Sequence, residues 1–301
     1  MKQPENTNQN DDTAVRNRMM SMMFLLFDAQ PEMPCSETIC SKLNEKGYQV
    51  NAEWKANEKN MRMFFLPEHT VDFDGAKGVP YQLLMLDQAR QKEHGSALDR
   101  TQFWGASNGI ELLDSCGFEV MIGDFISAAH PPEVRAKILS DWLEIALDLF
   151  PACKGVWFEG SRNVLTAEAL RSNPYEGNDR IFLGMVNARF FRVGGTDDMV
   201  VDTLGMHVFG LPDVQMHFRG LNPNHAIRLA LDIAMYQFAN DCPIKDNETV
   251  DGFDAEGEPG GRWKCQYEMA LIEPKRHLLD VNTGEFAAGN RTHASEEGEH
   301  Q

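Results

Sequence analysis

The sequence predicts an α+β fold, with mixed or antiparallel sheets covered by helices, built as one layered body or as two packed α/β sandwich units. Three observations carry this. Strand-length apolar runs alternate with helix-length ones between Met22 and Leu279. Two of the helical stretches are apolar over more than one stripe, so they sit deep in a core. Several neighbouring strands are separated by little more than a turn, which suits hairpins rather than the crossovers of a doubly wound parallel sheet.

The elements follow in order. Met22–Phe27 (MMFLLF) reads as a buried first strand. Arg16 and Arg18 precede the run Met19–Phe27, which superficially copies a secretion signal, but nine apolar residues with acidic residues upstream and no small-residue cleavage site do not make one. A helix is expected near Ser36–Lys46, opened by Pro34 and capped by Ser36. Tyr48–Trp54, Met61–Leu66 and Val79–Leu86 read as strands. Asp72–Gly75 (DFDG) starts like a calcium loop and then lacks its later ligands, so it reads as a hairpin turn. Phe118–Gly123 is a strand, Pro131–Phe150 the clearest helix, and Gly155–Phe158 the strand that completes a β-α-β unit. Met185–Val193, Met199–Gly210 and Val214–Phe218 are further strands. Asn222 caps a second broad helix with Pro223 at its first position. Asp241–Gly260, with seven acidic residues and one lysine, reads as an exposed loop. Trp263–Met269 and Arg276–Leu279 close the structure as strands.

Domain organisation is expected to be a disordered segment at 1–17, one globular region at 18–282 that could divide into two subdomains near 100–117, and a disordered tail at 283–301.

Composition narrows the function classes. Over 301 residues, 46 acidic side chains face 28 basic ones, a formal charge of −18. That field repels nucleic-acid phosphates and favours a basic protein partner. No run is long enough to span a bilayer as a helix, so no membrane is expected. The six cysteines form no CxxC pair, which argues for reduced thiols, no zinc site and a cytoplasmic setting.

The residues carry no complete catalytic motif. In GVWFEGSRNVLTAEAL, Gly155 to Leu170, a serine sits at a strand–turn–helix bend. A nucleophile elbow needs glycine on both sides of that serine, and Arg162 and Asn163 follow Ser161 instead. Ser161 therefore reads as a turn residue, with Thr166 capping the helix that follows. No HExxH or HxH occurs among nine histidines. His207 and His217 could meet across a hairpin with Asp202 or Asp213, but that is no recognised metal spacing. No phosphate loop is present, so no nucleotide and no other cofactor or metal is expected. Trp104, Trp142, Trp157 and Trp263 read as core or interface anchors.

Three segments carry a family likeness: GVWFEGSRNVLTAEAL, VNARFFRV and DTLGMHVFGLPDVQMHF. They resemble the bacterial family catalogued as domain of unknown function 4261, over about Met22 to Leu279. The resemblance brings no established catalytic residues with it. The phrase from Thr203 to Asp213 is also similar to one in Suppressor-of-fused-like domains, which include bacterial immunity proteins. That second resemblance implies a non-enzymatic role in binding a toxin.

Two functions are therefore carried forward. The first is a non-enzymatic cytoplasmic protein-binding protein, an immunity or adaptor protein acting on a basic bacterial toxin or effector. The alternative is an enzyme of unknown reaction with a site near Trp157, Ser161 and His207. The candidate binding residues are Trp157, Glu159, Ser161, Arg162, Arg189 and His207, with no catalytic or metal-binding residue assigned. Oligomeric state stays open.

Overall fold

The structure, a computed structural model, describes residues 20–50, 56–58, 60–73, 75–89, 93–125, 127, 129–176 and 178–289. The chain opens with β1 (Met22–Phe27) and α1 (Ser36–Glu45), then β2 (Ala56–Glu58), β3 (Met61–Phe73) and β4 (Ala76–Ala89). Next come α2 (Gly109–Ser115), β5 (Phe118–Phe125), α3 (Pro132–Leu149), β6 (Gly155–Phe158) and β7 (Asn163–Thr166). Helices α4 (Ala167–Arg171) and α5 (Asn178–Met185) lead into β8 (Asn187–Arg192), β9 (Met199–Leu204) and β10 (Asp213–Phe218). Helix α6 (Pro223–Ala239) is followed by β11 (Thr249–Phe253), β12 (Pro259–Met269) and β13 (His277–Asn282).

Two sheets result. The first has seven strands in the order β2-β3-β4-β5-β1-β6-β7, every pair antiparallel. The second has six, in the order β11-β12-β13-β10-β9-β8, and is mixed because β10 and β13 run parallel. The α+β class is thus as the sequence predicts. The β5-α3-β6 unit is a crossover that leaves a gap between its two strands, and β1 fills it, antiparallel to both.

Burial explains the layering. Met23, Leu25 and Phe27 of β1 join the main core, while Phe24 and Leu26 face a second cluster with Leu112, Leu113 and Trp157. The first sheet is therefore covered on both sides, which is why β1 reads as an unbroken apolar run. Helix α3 buries Ile138, Leu139, Trp142, Leu143, Ile145 and Ala146, more than one stripe. Helix α6 buries Ala226, Ala230, Ile233, Ala234 and Phe238 against β9 and β10. The main apolar cluster includes Val120 and Ile122 from the first sheet and Val214 and Met216 from the second.

Several expectations need correction. Cys35 is the N-cap of α1 and makes no side-chain cap bond, while Ser36 is already helical. Residues 48–50 are not a strand, and 51–55 lie outside the described residues. Strand β9 stops at Leu204 because Gly205 turns with φ +131°, where a β-carbon would collide with the Met185 carbonyl oxygen. The chain from Met206 to Phe209 is a short 3-10 turn instead. Asp241–Gly260 is not all loop, since it contains β11 and the start of β12. Only Val250 and Phe253 of β11 pack against the core, so its apolar signal is faint. The change from one sheet to the other comes after β7, whereas residues 100–117 lie between two strands of the first sheet. Residues 1–17 and 290–301 lie outside the described residues. Residues 283–289 are packed: Arg219 N donates to Phe286 O at 2.8 Å and Ala288 N to His217 O at 3.0 Å.

Candidate functional site

Three of the six candidate residues, Arg162, Arg189 and His207, join a buried polar seam that links the two sheets. Arg189 on β8 stands directly across from Asp202 on β9. Its Nε donates to Asp202 Oδ1 at 2.8 Å and its Nη2 to Oδ2 at 2.6 Å, a two-pronged pair with both side chains buried. Arg276, just before β13, donates to the same Asp202 Oδ2 at 2.9 Å and to Asp213 Oδ2 at 2.8 Å. Asp213 also faces His207, whose Nδ1 lies 3.6 Å from Oδ2. At the other end, Arg189 Nη1 lies 3.9 Å from Asp99 Oδ1, and Arg162 reaches Asp99 Oδ2 at 3.3 Å. A chain of ionisable side chains therefore runs Arg162–Asp99–Arg189–Asp202–Arg276–Asp213–His207.

Pairing register extends this seam into a row. Arg189 pairs with Asp202, Asp202 with Gln215 on β10, Gln215 with Asp280 on β13, and Asp280 with Gln266 on β12. Side chains on directly paired residues share a face, so one polar residue from each of five strands lines the face opposite α6. Gln215 Nε2 donates to Asp280 Oδ1 at 2.9 Å, and Gln215 Oε1 accepts from Leu271 N at 2.8 Å.

The phrase from Thr203 to Asp213 is the knot of this region. Asp213 Oδ1 accepts from the Thr203 hydroxyl and from Met206 N, each at 3.1 Å, and Thr203 Oγ1 accepts from Val214 N at 2.9 Å. Gly205 supplies the turn and Gly210 a left-handed residue with φ +72°. Burial pushes the Asp213 carboxyl up, but Arg276 and His207 outweigh it and leave it below the usual carboxylate range.

The remaining candidates, Trp157, Glu159 and Ser161, lie on β6 and in the turn that leads to β7. Ser161 is fully buried and its Oγ donates to Gly184 O at 2.6 Å, which ties the turn to α5. Its hydroxyl points at a carbonyl rather than at a base. The Thr166 cap is present, with its side chain accepting from Ala169 N at 3.1 Å. Trp157 donates through Nε1 to Glu159 Oε2 at 2.7 Å and stacks on His94 with ring centroids 5.3 Å apart. His94 Nε2 sits 2.8 Å from Glu119 Oε2, both buried. Trp142 and Trp263 are buried as anchors, while Trp104 is 61% exposed.

His207 and His217 do not converge. His207 lies on the 3-10 turn, and His217 on β10 approaches Asp198 at 3.7 Å. Among the described residues no group of three or more His, Cys, Asp or Glu could hold a metal ion. No disulfide joins the six cysteines. No helix among the described residues is long and apolar enough to cross a membrane.

Sequence reading missed Asp99, Arg276, Gln215 and Asp280 as members of the seam. Three strands carry the signal that would have found part of it. MVVDTL, DVQMHF and HLLDVN each hold a polar residue in mid-strand, Asp202, Gln215 and Asp280, the last two flanked on both sides by apolar residues.

A family model described as Domain of unknown function (DUF4261) matches residues 202–282. The match begins at Asp202 and ends with β13, so it takes in DTLGMHVFGLPDVQMHF and most of the second sheet. No curated protein and no solved structure matches the chain.

Proposed function

We propose that the chain is a non-enzymatic protein that binds a basic protein partner through its acidic surface. The observation that supports this is the near-neutrality of the seam: its four carboxylates, Asp99, Asp202, Asp213 and Asp280, stand against three guanidiniums, Arg162, Arg189 and Arg276. Those charges nearly cancel inside the fold, so almost all of the formal excess of −18 resides outside the seam. Such a field steers a cationic partner and repels phosphate backbones. In its finer form the reading is a cytoplasmic adaptor or immunity protein that meets a basic bacterial toxin or effector.

Affinity capture with the full chain, at low and at high salt, tests the reading. A discrete basic protein retained at low salt and weakened by salt supports it. Capture of no specific protein at either salt, from cells grown in several states, would overturn it.

A further inference from the structure

The two edges of the second sheet differ. At the β8 edge, Gln102 covers the strand: its Oε1 accepts from Phe190 N at 2.9 Å and its carbonyl accepts from Asn187 Nδ2 at 3.2 Å. At the other edge no strand among the described residues pairs with the outer side of β11. Cys265 N donates to Glu248 O at 2.7 Å, which makes Glu248 and Cys265 a bonded pair. In an antiparallel ladder bonded and non-bonded pairs alternate. Val250, opposite Trp263, is then the next residue bonded inward, and the backbone groups of Thr249 and Asp251 turn outward.

Beside that edge lies an open groove of about 800 Å³. Leu229, Ile233 and Tyr236 of α6 and Val250 of β11 give it apolar walls. Tyr236 is half exposed, unlike the α6 side chains that face the core. Asp232, Glu248 and Asp251 stand around the walls against a single cation, Arg262, and Arg262 already pairs with Asp251 at 3.7 Å. A helix flanking an open strand edge is the arrangement in which an extended peptide adds as a further strand, with main-chain bonds giving affinity and alternate side chains filling the groove.

We infer that β11 and α6 form a docking groove for an extended peptide segment of a partner protein, one that alternates apolar residues with Lys or Arg. This rests on the protein-binding reading and adds the place and the chemistry of the contact. The peptide's backbone would bond Thr249 and Asp251, its apolar side chains would enter between Tyr236 and Val250, and its cations would meet Asp232 and Glu248.

The probe is a display library of random peptides, about ten residues long to overrun the strand, selected on the full chain. The expected result is enrichment of alternating apolar and basic sequences, with amide-exchange protection at residues 249–251 when a selected peptide is added. N-methylation of alternate peptide amides should abolish binding, because it removes ladder donors. Asp251→Pro removes an outward donor and should reduce binding by about tenfold or more. Should that variant fail to fold, Asp232→Lys with Asp251→Lys leaves the backbone intact and should give a similar loss that shrinks at high salt. Selected peptides that bind both variants as well as the parent, or that protect a different segment, would overturn the groove. So would a library that yields no binder while affinity capture still retains a basic protein, and in that case the protein-binding reading survives without this site.

Discussion

The two sheets meet the same core and treat their other faces differently. The first sheet packs apolar residues on both sides, with β1 sending Leu25 to the main core and Leu26 to the second cluster, and its buried polar groups form separate pairs, Asp124 with Arg135 and Glu119 with His94. The second sheet packs apolar residues under α6, and its opposite face carries the row Arg189–Asp202–Gln215–Asp280–Gln266 beside the buried Val200, Leu204 and Leu278. Apolar packing is non-directional and forgiving of volume-conserving change. A buried ionic row is directional, and removing one partner strands the other in a medium that solvates it poorly. The difference teaches that the polar candidates of the second region act first on the fold, so their loss should be read as stability before it is read as activity.

The sharpest way to break that comparison is Asp213→Ala. It strips Arg276 of one carboxylate and Thr203 and Met206 N of their acceptor, so unfolding in urea should show a loss of about 3–5 kcal/mol. On the first sheet, Leu25→Ala should remove about 2–5 kcal/mol by leaving a cavity, whereas Leu25→Met should remove less than about 1.5 kcal/mol. An ionic site with that tolerance, or an apolar site without it, would erase the distinction.

The pH dependence of stability sharpens it further. Asp213 titrates below its unfolded value, so its contribution is present above about pH 3.9 and is lost as pH falls through its lowered folded pKa. His130 is pulled down by burial first and by His69 next. It therefore destabilises the fold as pH drops below about 6.5, where only the unfolded chain takes up the proton. On the alkaline side, burial pushes the thiols of Cys153 and Cys265 up to about 11. The unfolded thiols ionise from about pH 8.5, so stability should decline from there toward pH 11. Melting temperatures across the range should thus peak between these limits, and a maximum near pH 5 would contradict these assignments. The smallest effect belongs to the caps: Thr166→Ala and Asn222→Ala should each destabilise by about 1 kcal/mol in the same urea assay.

Elements with strong periodicity were legible in the sequence. Met22–Phe27 is a strand with those bounds, and the broad apolar spread of α3 and α6 correctly indicated deep burial. Strand β11 was hidden because its acidic and glycine residues look like loop, and only its position beside β12 makes it a strand. The 3-10 turn after β9 was hidden for a related reason: MHVFG has strand composition, and it is the positive-φ turn at Gly205 that ends the ladder. Of the seam, Arg189, Arg162 and His207 were visible as isolated polar residues near one another's strands. Asp99 and Arg276 were not, since they come from a short 3-10 turn and from the residue just before β13, whose approach depends on the finished fold.

The central claim is that the ionic row clamps the second sheet. A double-mutant cycle on Arg189→Met and Asp202→Leu, followed by urea unfolding of the full chain, tests it most directly. The account predicts that the double variant loses less stability than the two single losses added together, with a favourable coupling of about 1–3 kcal/mol. Additive losses, with no coupling between two residues 2.6 Å apart, would contradict it.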